Sequence, residues 1–69
     1  MNIMVKVGDF FLRIRNQGDR SKLTIWNKTG TKIVSEFISS TTPNFWDQIG
    51  KLTSPEVVDK VHSLLQQQK

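Results

Sequence analysis

The sequence predicts an α+β fold: three or four antiparallel strands in a β-meander, then one broken or two short C-terminal helices packed on one face of the sheet. Three observations predict it. Apolar and polar residues alternate through the first half of the chain, which is the period of a half-buried strand. Gly-Asp and Asn-Lys-Thr-Gly interrupt that alternation where hairpins would turn. From Pro43 onward the apolar spacing becomes three and four residues, the period of a helix. Strands are expected over about 2–7, 10–16, 21–27 and 31–38, and helices over about 43–51 and 55–66, in one domain spanning 1–69.

In the first strand Ile3, Val5 and Val7 alternate with Met4 and Lys6, and in the second Phe10, Leu12 and Ile14 alternate with Phe11, Arg13 and Arg15. Gly8-Asp9 fits a two-residue type II′ turn. It would pair Val7 with Phe10, Val5 with Leu12 and Ile3 with Ile14, all on one buried face. One long strand with a bulge at Gly8 is the alternative. Asn16–Ser21 reads as a polar turn.

The third strand, "KLTIW", puts Leu23 and Ile25 on the buried face and Lys22, Thr24 and Trp26 on the other. Asn27-Lys28-Thr29-Gly30 suits a type I turn with Gly30 in the left-handed region as a G1 bulge. That loop sets Trp26 opposite Lys32, Ile25 opposite Ile33, Leu23 opposite Ser35 and Lys22 opposite Glu36. Ile33 and Phe37 then join the buried side.

Thr42-Pro43 reads as an N-cap followed by proline at the first helical position. Phe45, Trp46, Ile49 and Leu52 form the apolar stripe, and Gly50 is expected to weaken or end the helix. Ser54-Pro55-Glu56 repeats the cap signal with an acid in the first turn. Val57, Val58, Val61, Leu64 and Leu65 form the second stripe, with Asp59, Lys60, His62 and Ser63 pointing away.

Sixty-nine residues bury only about 60% of their unfolded surface, so the core is marginal. With no cysteine, neither a disulfide nor a thiolate metal site can supplement it. A homodimer is one remaining source of stability. Ten Lys/Arg against six Asp/Glu give a net charge of +4, which favours an anionic partner, either nucleic acid or an acidic protein. No apolar run reaches the roughly 20 residues of a membrane span, and the N-terminal stretch lacks a signal-peptide pattern. A cytoplasmic location, without membrane attachment, is the expectation.

Enzymatic chemistry is not suggested. His62 is the only histidine, and no serine sits in a G-x-S-x-G elbow. "GKLTS" (Gly50–Ser54) fails the phosphate-loop pattern, because Leu52 separates Gly-Lys from the hydroxyl residue and Phe45 stands where the upstream glycine belongs. The acids are scattered singly, so no metal site, cofactor or carboxylate dyad is indicated.

The informative feature is the sheet face that the helices would leave uncovered. Alternation gives it Met4, Lys6, Phe11, Arg13, Arg15, Lys22, Thr24, Trp26, Lys32, Val34, Glu36 and Ile38, with Lys28 at its margin. Cations neutralise phosphates, and exposed rings stack on unpaired bases. The expected nucleic-acid-binding residues are therefore Phe11 and Trp26 for stacking and Arg13, Arg15, Lys22 and Lys32 for phosphates, with Lys6 and Lys28 beside them. The substrate would be single-stranded nucleic acid, or duplex DNA read by a sheet. The alternative is a protein–protein interaction module, such as an adaptor, a regulator or a phage-type inhibitor, using the same face for a protein partner or a second copy.

Overall fold

The computed structural model describes residues 2–38 and 43–67. The chain divides into two compact units, Met1–Ser39 and Ser40–Lys69. The first is a four-stranded antiparallel sheet, β1 (Asn2–Val7), β2 (Phe10–Gln17), β3 (Arg20–Trp26) and β4 (Lys32–Phe37), in sequential order. The second holds two helices, α1 (Pro43–Leu52) and α2 (Pro55–Gln66).

The first hairpin turns on Gly8-Asp9. Gly8 has φ +58°, and no residue other than glycine has positive φ among the described residues. A positive φ at the first central position only is the signature of type II′, whose twist matches that of the strands it joins. The register is as the alternation predicts: Val7 faces Phe10, Val5 faces Leu12 and Ile3 faces Ile14.

The second hairpin corrects the reading of Asn16–Ser21 as a loop. The strands run on until Gln17 pairs with Arg20, leaving only Gly18-Asp19 as the turn, with Gly18 at φ +68°. The same dipeptide solves the same twist problem twice. The third loop follows its predicted form. The Asn27 N–H donates to the Thr31 carbonyl (2.9 Å) and the Gly30 N–H to the Asn27 carbonyl (3.0 Å), with Gly30 at φ +87°. The Asn27 side chain ties the loop together, its Oδ1 accepting from the Thr29 N–H (3.0 Å), the Thr29 hydroxyl (2.6 Å) and the Thr31 N–H (3.0 Å).

Beyond Lys32 the expected register fails. Trp26 faces Lys32 as predicted, but Ile25 faces Val34, Thr24 faces Ser35, Leu23 faces Glu36 and Lys22 faces Phe37. Ile33 is an extra residue in β4, and a bulge of this kind shifts every later side chain to the opposite face. Val34, Glu36 and Ile38 therefore leave the polar face assigned to them, and Phe37 moves onto it. The exchange has a plain cause. Ile33 and Val34 are adjacent and both apolar, and the bulge lets Val34, at 5% exposure, take the buried position beside Ile25. Leu12, Ile14, Leu23 and Ile25 of the same face have no exposure at all.

In the helical unit, α1 runs to Leu52, close to the expected bound, and continues through Gly50, so Gly50 does not end it. A Cβ there would lie 3.6 Å from Val58 Cγ2 of α2, an ordinary contact. The helix closes instead where the Thr53 N–H donates to the Ile49 carbonyl (3.0 Å). Ser54 caps α2, its Oγ accepting from the Val57 N–H (3.3 Å) with Glu56 in the first turn. Phe45, Ile49, Val57, Val61 and Leu64 are buried, but Leu52, expected in the stripe, is 54% exposed. Trp46 meets Phe45 edge to face at 4.9 Å and His62 at 4.2 Å. The N-cap expected at Thr42 lies outside the described residues.

Candidate nucleic-acid interface

Cross-strand register arranges the polar face of the sheet into rows running across the strands. The first row is Lys6–Phe11–Trp26–Lys32, two aromatic rings between two lysines. The second is Met4–Arg13–Thr24–Ser35, and the third is Asn2–Arg15–Lys22–Phe37. Gln17 and Arg20 extend the two central strands past the third row. Successive rows lie about 7 Å apart, two residues of strand rise, and neighbouring residues within a row about 5 Å apart.

Seven of the eight expected residues meet on this face: Lys6, Phe11, Arg13, Arg15, Lys22, Trp26 and Lys32. Lys28 does not share it. It is exposed in the loop joining β3 to β4. Arg20 and Phe37 also belong to the face, Arg20 because β3 begins earlier than its polar sequence suggests and Phe37 because the bulge at Ile33 inverts the alternation of β4. The signal for Arg20 was present: Gly18-Asp19 repeats the dipeptide of the first hairpin.

The aromatic side chains carry cations on their rings. Lys6 Nζ stands 5.6 Å from the Phe11 centroid and Arg13 Cζ 5.2 Å from that of Trp26. Arg20 Cζ lies 3.9 Å from the Phe37 centroid, with Lys22 Nζ at 5.9 Å. The negative ring face attracts the cation, and the long stems shield apolar area from water. Phe11 is 38% exposed and Trp26 half-buried, so neither ring is sealed inside. Thr24, in the middle of the central strand, is 3% exposed. The Nε of Arg13 is buried and has no hydrogen-bond partner among the described residues.

The electrostatics are one-sided. Lys6, Arg13, Arg15, Arg20, Lys22 and Lys32 occupy the face, six of the chain's ten Lys/Arg. The shift in β4 removes Glu36, the one acid assigned there, to Leu23's side. Arg15 and Lys22 stand directly opposite each other, an arrangement that costs stability, and Arg13 and Arg20 are their diagonal neighbours.

Elsewhere, a shallow groove of about 400 Å³ between α1 and α2 is lined by residues including Trp46, Lys51, Pro55 and Val58. Among the described residues no group of three or more His, Cys, Asp or Glu is placed to hold a metal ion. No described helix is long and apolar enough to cross a membrane. No known family, curated protein or solved structure matches this chain.

Proposed function

We propose that this chain is a non-enzymatic nucleic-acid-binding protein that lays a single strand across the basic, aromatic face of its sheet. The observation that carries the reading is the cluster Arg13, Arg15, Arg20 and Lys22 on the two central strands, with no carboxylate assigned to the same face. A fold selected for stability alone would interleave acids there. Phosphates supply the missing anions, and the neighbouring Phe11–Trp26 pair offers bases a place to stack.

Geometry favours a single strand over a duplex. Four strands at about 4.8 Å spacing span roughly 14 Å before side chains are added, wider than the ~12 Å major groove. A sheet face of that width fits splayed bases better than base-pair edges within a groove.

The test is anisotropy of a labelled single-stranded oligonucleotide, with a duplex of the same sequence beside it. Micromolar or tighter binding at low salt is expected for the single strand, weakening steeply as salt rises. Trp26→Ala should weaken it by roughly 5- to 150-fold, equivalent to the loss of about 1–3 kcal/mol of stacking. If neither oligonucleotide binds below about 10⁻⁴ M at low salt, weaker than ordinary non-specific binding, the reading is wrong and the face is left to an acidic protein partner.

A further inference from the structure

The outer edge of β1 is unpaired among the described residues: β1 closes one side of the sheet, with no strand beyond it. It has no proline and pairs with β2 without a register shift. The opposite edge, β4, carries the bulge at Ile33, a common device for blunting an exposed edge. β1 has no bulge, Lys6 is its one charged residue, and Met4 at its centre is 63% exposed.

The backbone phase of β1 follows from its hairpin. In a two-residue hairpin the residues closing the loop form a hydrogen-bonded pair, and such pairs alternate with non-hydrogen-bonded ones. Val7, Val5 and Ile3 therefore direct their N–H and C=O groups toward β2, while Lys6, Met4 and Asn2 direct theirs outward. A second copy of β1 approaching antiparallel must match outward groups with outward groups. It must also keep the polar faces on the same side, because directly opposed residues share a face.

Few registers satisfy both conditions. Centring the two-fold axis on Met4 pairs Met4 with Met4, Asn2 with Lys6 in both directions, and Ile3 with Val5. All outward groups are used, in roughly six hydrogen bonds, and no like charges are opposed. Centring on Val5 leaves Asn2 without a partner. Centring on Lys6 sets two ammonium groups against each other.

We infer that the protein forms a two-fold dimer through antiparallel pairing of its β1 strands about Met4, making one continuous eight-stranded sheet. The occupant is a second copy because the sequence of the edge is complementary to itself in its best register: polar faces polar, β-branched faces β-branched, and the exposed methionine covers its own counterpart. The dimer deepens the proposed nucleic-acid reading by joining the two basic faces into one surface, but its test needs no nucleic acid.

The experiment is sedimentation velocity of the full chain alone across a range of micromolar concentrations, with disulfide trapping. The chain has no cysteine, so Met4→Cys introduces the only one. A hydrogen-bonded antiparallel pair places its Cα atoms about 5.5 Å apart, within disulfide reach. Met4→Cys should form a covalent dimer under mild oxidation, and Ser35→Cys, on the β4 edge, should not. Met4→Pro removes an outward N–H that the monomer does not use, so it should abolish the dimer while circular dichroism keeps the sheet signal. A chain that stays monomeric at every concentration, or trapping at Ser35 in place of Met4, would overturn the inference. A dimer that ignores oligonucleotides would leave it standing and remove only the nucleic-acid reading.

Discussion

Arg15→Glu should move stability and binding in opposite directions. Arg15 is exposed and faces Lys22 across the central pair of strands. Like charges in directly opposite positions cost about 0.2–1 kcal/mol, and opposite charges return a similar amount. Reversing the sign spans both terms, and at this exposed position the sum belongs near the lower end, about 0.5–1 kcal/mol of added stability. A domain of this size gains about 4–8 °C in Tm per kcal/mol, so the melting point should rise by roughly 2–8 °C. Binding should suffer. If all six cations on the face meet phosphates of a single strand, the log–log slope of affinity against salt is about −4, and affinity falls roughly 300-fold between 50 and 200 mM salt. Losing one cation and gaining one anion leaves an effective count of about four, a slope near −3 and a fall of roughly 50-fold. Thermal melts by circular dichroism read the first effect, and anisotropy titrations at four or more salt concentrations read the second. A lower Tm would refute the cost assigned to the Arg15–Lys22 pair. An unchanged salt slope in a folded variant would refute the role of Arg15 in binding phosphate.

Asn27→Ala removes the acceptor of three hydrogen bonds in the β3–β4 loop and should destabilise the sheet by about 1–2 kcal/mol, read as a lower urea midpoint with the slope m unchanged. Ser54→Ala deletes the N-cap of α2. Its bond to the Val57 N–H is long at 3.3 Å, so a loss of about 0.5–1 kcal/mol is expected in the same assay, with Ser54→Asp retaining most of the cap.

The first hairpin was legible to the individual pair because two unambiguous alternations flank one Gly-Asp turn, and only one register puts Ile3, Val5, Val7, Phe10, Leu12 and Ile14 on one face, where Leu12 and Ile14 are buried and the other four half-buried. The second hairpin was hidden by composition. Asn16, Gln17, Arg20 and Ser21 are polar enough to read as loop, so the strand ends that carry Arg20 went unseen, although Gly18-Asp19 repeats the earlier turn. The register of β4 failed for a different reason. Alternation cannot say which of two adjacent apolar residues, Ile33 or Val34, points inward, and an error there inverts everything downstream. Phe37 was assigned to the core as any phenylalanine would be. The structure gives it to the polar face, where Arg20 and Lys22 stand over its ring. Leu52 failed as the last member of a helical stripe, at a terminus where packing no longer enforces the period.

That arrangement of cations over rings bears on how the proposed interface would work. A sheet face carrying Phe11, Trp26 and Phe37 bare would be an aggregation hazard in the unbound protein. Lys6, Arg13 and Arg20 lie over those rings and keep them partly covered. A base that stacks on Trp26 from the same side must displace the Arg13 guanidinium. The magnitudes are comparable: a cation–π contact contributes about 0.5–1 kcal/mol when exposed and about 2 kcal/mol when desolvated, and a stacked base about 1–3 kcal/mol, so the exchange is favourable only with the phosphate contact that accompanies the base. In the proposed complex the displaced guanidinium would still contribute, because its positive charge would meet the phosphate that the base brings with it. Arg13 is the cation whose buried Nε has no hydrogen-bond partner among the described residues, so its contact with Trp26 is the one the exchange would release. On this reading the cations hold the aromatic rings in reserve, covering them in the free state and giving them up when the ligand supplies both a base for the ring and an anion for the charge.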